Sequence, residues 1–277
     1  MTPATERWKA MVETEHAQSD GMRATAPPAD HWRPYARQFE ADPRRSGDEL
    51  VDRLASQLDP SKTLIDVGAG GGRMALPLAL RCRHVTAVEP SQSMADVLLQ
   101  QTKEHGIDNV SLVQARWEEA QVAPADIVLC AHVIYTVTKI DQFVRKLEAH
   151  GRELVIIVLY DAAPQSQTYP IWKHVHGVER LALPSLSELE EVLTELGISP
   201  EVDRLTPQPP RGFDSLEQAA AQLSSRLYLG EGSLQSKHLE EVLREELVEI
   251  DGVFVIRGAK PLTPTLVSWQ PSNNAGS

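Results

Sequence analysis

Two hydrophobic periods alternate along this chain. Short, β-branched apolar runs at Thr63–Val67, 85–88, 110–114, 126–130 and 154–159 read as strands. Between them, at 46–58, 74–80, 92–105 and 140–149, apolar residues recur every third or fourth position, as on one face of a helix. Leu154-Val155-Ile156-Ile157-Val158-Leu159 contains no polar residue, which suits a central parallel strand covered on both faces. Strand and helix in regular alternation predict an α/β fold around a parallel sheet.

The flanks read differently. Before the sheet, residues 5–19 carry Trp8, Met11, Val12 and His16 roughly on one helical face, and Pro27-Pro28 then breaks the chain. Trp32, Tyr35 and Phe39 follow at i, i+3 and i+7, a second helical stripe. After residue 159 a loop-rich stretch leads to a helix at 185–196, closed by Gly197, and to a sixth strand near 199–205. Pro207, Pro209 and Pro210 precede two helical patterns, 215–229 and 233–249, and two strand candidates, Val253–Ile256 and 265–269. The expected organisation is an N-terminal helical cap at 1–45, a main domain at 46–269 with a helical insertion at about 212–250, and a disordered tail at 270–277.

Chemistry concentrates in Thr63-Leu64-Ile65-Asp66-Val67-Gly68-Ala69-Gly70-Gly71-Gly72-Arg73. Glycines at alternate positions after a strand let the backbone bend sharply and let a ligand touch the main chain. The next helix aims its N-terminal NH groups at the turn. A nucleotide or nucleoside site is implied. A dinucleotide site needs its third glycine at position 73, where Arg73 stands, and Asp66 would oppose a pyrophosphate. An acid suits a ligand that carries an amino group. A second acid, Glu89, closes strand two, 21 residues past Gly68, where a carboxylate can accept both ribose hydroxyls; that spacing fits either kind of cofactor.

The run Asp66-x-Gly68-x-Gly70-x-Gly72 resembles motif I of the class I S-adenosylmethionine-dependent methyltransferases. Glu89-Pro90-Ser91-Gln92-Ser93-Met94 resembles the E-x-S-x-x-M run common in that family, with Ser91 as the helix N-cap. The resemblance covers residues 46–159. It implies a Rossmann-like, doubly wound, mostly parallel seven-stranded sheet and S-adenosylmethionine as cofactor, leaving as S-adenosylhomocysteine. It also implies that Asp66 lies near the methionine moiety and that Gly68, Ala69, Gly70 and Gly72 lie under the nucleoside. Glu89, with Pro90 beside it, would hold the ribose, and Met94 would pack on the adenine. Cys130 and Ala131, ending strand four, would border the same cofactor. The chain departs from the family after strand three, where Ala115-Arg116-Trp117 replaces the frequent Gly-Asp-Ala. Adenine contacts then fall to Arg116 and Trp117 or to Glu118, with Trp117 either stacking on the purine or simply packing. The family's base-directed amino methyltransferases carry Asn/Asp-Pro-Pro-aromatic at the end of strand four; Cys130-Ala131-His132-Val133 stands here instead.

Methyl transfer is an in-line displacement in which positioning and water exclusion do much of the work. A general base is needed only for a protonated acceptor of high pKa. Reacting groups lie beyond the carboxyl ends of the strands. His132, just past strand four, is the candidate base or orienting group, or else a histidine bonded to backbone; Tyr135 lines the same pocket. Tyr160, Trp172 and His174 supply a candidate substrate wall, and Trp32 and Tyr35 a candidate lid that is equally able to pack as core. His174-x-His176 has no third ligand at a fixed spacing, so no metal is expected.

Charge narrows the acceptor. Formal net charge is −12 and no basic cluster exceeds a pair such as Arg44-Arg45, so a nucleic-acid substrate is disfavoured. Cys82 and Cys130 lie in separate elements, which fits a reducing cytoplasm. No apolar run approaches the ~20 residues of a membrane span, and no secretory signal is expected from the polar residues 1–7. The function expected is methylation of an oxygen or nitrogen on a small organic molecule. The alternatives are a non-catalytic S-adenosylmethionine-binding protein and an NAD-dependent oxidoreductase.

Overall fold

A computed structural model describes residues 2–23, 29–230 and 232–272. At its centre β1 (Thr63–Val67) pairs in parallel with β2 (His84–Val88) on one side and with β4 (Ala125–Ala131) on the other. β3 (Val110–Val113) extends the sheet beyond β2, and β5 (Gly151–Tyr160) beyond β4. β9 (Pro264–Trp269) inserts antiparallel between β5 and β6 (Glu201–Arg204), so that the order is β3-β2-β1-β4-β5-β9-β6. This is the seven-stranded, mostly parallel sheet expected.

Alternation along each strand sends successive side chains to opposite faces. Ile65, Val67, Val128, Cys130 and Ile157 pack on one face against α1 (Ala4–Met22), α5 (Ile140–His150) and α7 (Leu186–Glu195). Leu64, Leu129, Ile156 and Val158 pack on the other, with α2 (Glu49–Ala55), α3 (Ala75–Ala79) and Leu98 of α4 (Gln92–Glu104). α1 therefore belongs to the body of the fold: Trp8 and Val12 are fully buried, and Trp8 Nε1 donates to the Val137 carbonyl at 2.7 Å.

A third core joins α6 (Tyr169–His176), α8 (Leu216–Arg226), α9 (Leu234–Glu246) and the hairpin of β7 (Leu247–Ile250) and β8 (Val253–Ile256) around Trp172, Phe213 and Leu223. The helical pattern expected over 233–249 thus stops at Glu246. Asp251 and Gly252, both at positive φ (50° and 82°), turn the chain back there, as Asp-Gly does in two-residue hairpins. β8 forms a separate sheet with β7, bridged through Phe254 to Phe213, so the strand at Pro264–Trp269 is the one that completes the main sheet.

Two expected elements take other forms. Residues 31–35 make turns and Ala36–Phe39 a 3-10 helix in place of an α-helix. Pro34 is the reason: it lacks an N–H and clashes with the preceding turn. Conversely, the stretch read as loop contains α6, because Pro170 stands in its first turn, where proline starts a helix. Pro27-Pro28 and residues 273–277 of the tail lie outside the described residues.

Candidate active site

The sheet grows outward from β1 to β2 and β3, then resumes at β4, and this reversal opens a crevice at the carboxyl ends of β1 and β4. The chain leaves β1 through Gly68 at φ +71°. Gly68 and Ala69 both donate backbone N–H bonds to the Val88 carbonyl, at 2.8 and 3.1 Å. A side chain at Gly70 would meet only Met94 Sδ, at 4.0 Å, so this part of the loop is an open cradle over Met94. At Gly72 a Cβ would strike Leu76 at 2.9 Å, which makes it the packing glycine of the turn.

Two carboxyl groups face this cradle. Glu89 accepts from the Gly70 N–H and the Ser91 N–H, each at 2.8 Å, and is 5% exposed. Desolvation raises its pKa, against the lowering effect of those two bonds. Asp66 is 2% exposed, and its Oδ2 is buried with no hydrogen-bond partner. Burial, then the neighbouring charge of Glu89, pushes its pKa up to about 7. A buried carboxylate oxygen without a partner is costly and calls for a donor. An incoming ammonium group supplies both a donor and a counter-charge. The residues present therefore fit a ligand that joins an ammonium group to a nucleoside.

The remaining residues singled out by sequence fall in distinct places. Ala69 is buried in the turn and Pro90 is exposed at the mouth. Cys130 is fully buried in the core and its thiol pKa is driven well up by desolvation, so it serves the sheet; Ala131, next to it, is half-buried. Arg116 is exposed. Trp117 is 3% exposed and packs in the α5 side of the core, edge-on to His150 with ring centroids 5.1 Å apart. It presents no open face for a purine to stack on.

His132 sits in left-handed conformation (φ 60°), its N–H still bonded to the Val158 carbonyl at 2.8 Å. That turn lays the imidazole on the Tyr160 ring, with centroids 4.4 Å apart and planes at 23°. Its Nδ1 lies 3.4 Å from the Tyr135 hydroxyl, which accepts from the Tyr160 N–H at 2.7 Å. Burial, and then the charge of Arg73, lowers the His132 pKa to about 4, so the ring is neutral at ordinary pH. Tyr135 is 5% exposed and burial pushes its phenol up: it holds His132 and Tyr160 in place and is itself shielded from an acceptor.

Two proposed substrate residues are elsewhere. Trp172 is 1% exposed inside the third core, between Arg180, 4.0 Å from its centroid, and the His176 ring, 4.1 Å away. His174 points to the surface beside Glu246. His176 Nε2 lies 2.9 Å from the Leu227 carbonyl, and among the described residues no group of three His, Cys, Asp or Glu is placed to hold a metal. Trp32 is exposed at 41%, edge-on to Phe39 with centroids 5.5 Å apart, and Phe39 packs with Met94 and Val97 and lies 3.5 Å from where a Gly71 Cβ would be. Tyr35 bonds to Ser225 of α8.

Asp30 escaped the sequence reading. It accepts from Ser91 Oγ at 2.8 Å, Ser93 N at 2.9 Å and Trp32 N at 3.1 Å, and so clasps the 29–40 segment to the start of α4. The signal was present: an Asp two residues before a bonded N–H is an Asx-turn.

The comparisons agree with this geometry. The family described as "Methyltransferase domain" matches residues 65–153. The ubiquinone biosynthesis O-methyltransferase of Rickettsia canadensis is 29% identical over 164 residues, covering 54% of this chain and 68% of that protein. Its counterpart in Rickettsia prowazekii is 30% identical over 164 residues, 54% of this chain and 64% of that protein, so these matches span about two thirds of the relatives' length. An rRNA adenine N-6-methyltransferase of Bacillus anthracis is 24% identical over 225 residues, 79% of this chain and 74% of that protein. Among solved structures, the YcgJ protein of Bacillus subtilis shares the fold with a TM-score of 0.55 at 15% identity, covering 79% of this chain and 97% of the other. The fold and the glycine–acid crevice define a nucleoside-binding α/β protein. The methyltransferase domain matched at residues 65–153 and the methyltransferase relatives support a class I S-adenosylmethionine-dependent methyltransferase.

Proposed function

We propose that the chain methylates an oxygen or nitrogen on a small organic acceptor, with Asp66, Gly68, Gly70, Glu89 and Met94 holding S-adenosylmethionine. The observation that carries the cofactor half is the unpartnered Asp66 Oδ2 beside the Glu89-clamped glycine loop. When bound, S-adenosylmethionine supplies an electrophilic methyl group, which an in-line nucleophile displaces. The chain's own residues bind, orient and exclude water. His132 has two roles open to it, set by its tautomer. With the hydrogen on Nδ1, donated to Tyr135, Nε2 is bare and accepts the acceptor's proton. With Tyr135 donating to Nδ1, Nε2–H orients the acceptor instead.

A small acceptor is favoured by the charge of −12, which repels polyphosphate. The Rickettsia relatives are O-methyltransferases, which supports an oxygen nucleophile. No helix among the described residues is long and apolar enough to cross a membrane. Purified protein given isotope-labelled S-adenosylmethionine and fractionated metabolite pools should transfer label to a small-molecule fraction. Label appearing only in RNA, or S-adenosylhomocysteine binding with no label transferred anywhere, would overturn this reading.

A further inference from the structure

From Asp30 a run of hydrogen bonds leads without a break into the glycine loop. Glu89 accepts from the Gly70 N–H through Oε2 and from the Ser91 N–H through Oε1, each at 2.8 Å. Ser91, 9% exposed, donates its hydroxyl to Asp30 Oδ1 at 2.8 Å while the same oxygen caps α4. Asp30 Oδ2 accepts from Ser93 N at 2.9 Å, and Oδ1 also takes the Trp32 N–H at 3.1 Å. Both oxygens of Asp30 are thus engaged, and one serves a first-turn N–H of α4 that has no partner inside the helix. A carboxylate at that end of a 13-residue helix is favoured by the dipole as well.

The stretch 30–39 that Asp30 holds is a strap laid on the glycine loop. Ala36 is 4% exposed and packs with Met94, Val97 and Phe39. Phe39 Cβ lies 3.5 Å, and its carbonyl oxygen 3.7 Å, from where a Gly71 Cβ would stand. The other side of the strap is tied to α8 through Tyr35 and Ser225, and Gln38 Oε1 accepts from Arg211 Nη2 at 3.5 Å. Each oxygen of Glu89 keeps a lone pair after its backbone bond. Two such lone pairs are what two ribose hydroxyls need, and Gly70 and Ser91 set their direction.

We infer that Asp30 is a positioning residue for the cofactor: by joining Ser91 to the 30–39 strap, it aims Glu89 at the ribose and keeps the strap closed over the bound nucleoside. This rests on the proposed placing of the cofactor against Glu89 and adds a residue that lies outside both cofactor motifs. Coupling between two events is reciprocal, so a strap that retains the ligand is itself held down by the ligand.

The test uses the full chain and S-adenosylhomocysteine. Ligand release is timed by displacement of labelled S-adenosylhomocysteine, and strap opening by tryptic cleavage after Arg37, which is exposed. In wild type, saturating S-adenosylhomocysteine should slow that cleavage by about ten-fold or more. Asp30→Ala should release S-adenosylhomocysteine about ten-fold faster, as loss of charge-assisted bonds requires, and should be cut after Arg37 rapidly with or without ligand. Asp30→Asn keeps an accepting oxygen without the charge and should fall between the two. A lower melting temperature in Asp30→Ala with wild-type release and wild-type protection would make Asp30 a helix cap only and overturn the inference. Cleavage of wild type that ignores S-adenosylhomocysteine would overturn it too. Glu89→Ala separates the two readings: unchanged S-adenosylhomocysteine affinity there overturns the placing on Glu89, whereas lost affinity there with wild-type release in Asp30→Ala overturns only the role of Asp30.

Discussion

Gly68 and Val133 approach so closely that a Cβ on Gly68 would lie 2.4 Å from Val133 Cγ2. The first loop of the cofactor crevice and the loop carrying the candidate catalytic histidine are thus packed directly on each other. Gly68 also holds φ at +71°, where any other residue is strained. Gly68→Ala should lower both the melting temperature and S-adenosylhomocysteine affinity, the latter by about ten-fold or more. Adding Val133→Ala relieves the clash and leaves the φ strain, so the double variant should recover part of the lost stability. Affinity and melting temperature unchanged in Gly68→Ala would contradict the packing described.

Asp66 gives the cofactor site a pH dependence. Its pKa in the fold is raised to about 7, above the unfolded value of 3.8, so its protonation stabilises the fold at low pH and that contribution is lost as pH rises through about 7. Asp66→Asn should therefore melt higher than wild type at pH 8, with the difference gone by pH 4. It should also bind S-adenosylmethionine more weakly. In wild type, binding below pH 7 should release a proton from Asp66, visible as a calorimetric enthalpy that varies with buffer ionisation heat. Equal enthalpies in phosphate and Tris at pH 6.5 would refute the role assigned to Asp66.

The sheet and the cofactor crevice were legible because a few local rules set them. Thr63–Val67 is β-branched, Gly68 must take positive φ, and Ser91 caps α4 by accepting from Met94 N at 3.2 Å. The acceptor side was not legible, since its residues come together only through tertiary packing. Trp172 and His174 are two residues apart, yet α6 turns one into the third core and the other to the surface. Trp117 looked equally suited to stacking or packing, and the burial decided for packing. Pro34 and Pro170 show the same ambiguity: one proline disrupts a helix, the other starts one.

A buried ion pair ties the N-terminal helix to the segment between α6 and α7. Arg180 and Glu15 pair with their side chains 4% and 5% exposed, and Arg180 also donates to Ser19 Oγ at 2.7 Å while lying over Trp172. Removing one partner leaves a buried charge, at a cost of about 3–5 kcal/mol. Arg180→Met should be among the most destabilising single changes outside the sheet. Pairing it with Glu15→Gln should restore much of the loss, as differential scanning calorimetry would record. If the two single losses simply add in the double variant, the pair is not coupled.

His132, Tyr135 and Tyr160 make one unit, and their substitutions should separate positioning from proton transfer. Tyr135→Phe deletes the acceptor of the Tyr160 N–H and the partner of His132 Nδ1 without opening a cavity. It should lower kcat by about ten-fold or more while S-adenosylmethionine KM stays near wild type, because the buried Tyr135 hydroxyl is shielded from ligands. His132→Asn keeps a residue tolerant of positive φ and removes the imidazole. If His132 takes the acceptor's proton, His132→Asn should fall at least as far as Tyr135→Phe, and the double variant no further. Since burial and Arg73 hold the His132 pKa near about 4 in the fold, below its unfolded value of 6.5, the neutral ring persists from pH 6 upward. The wild-type kcat profile should then lack a histidine limb near 6.5. A limb there that disappears in His132→Asn would show an imidazole titrating in the open, and turnover unchanged in His132→Asn would remove it from the reaction.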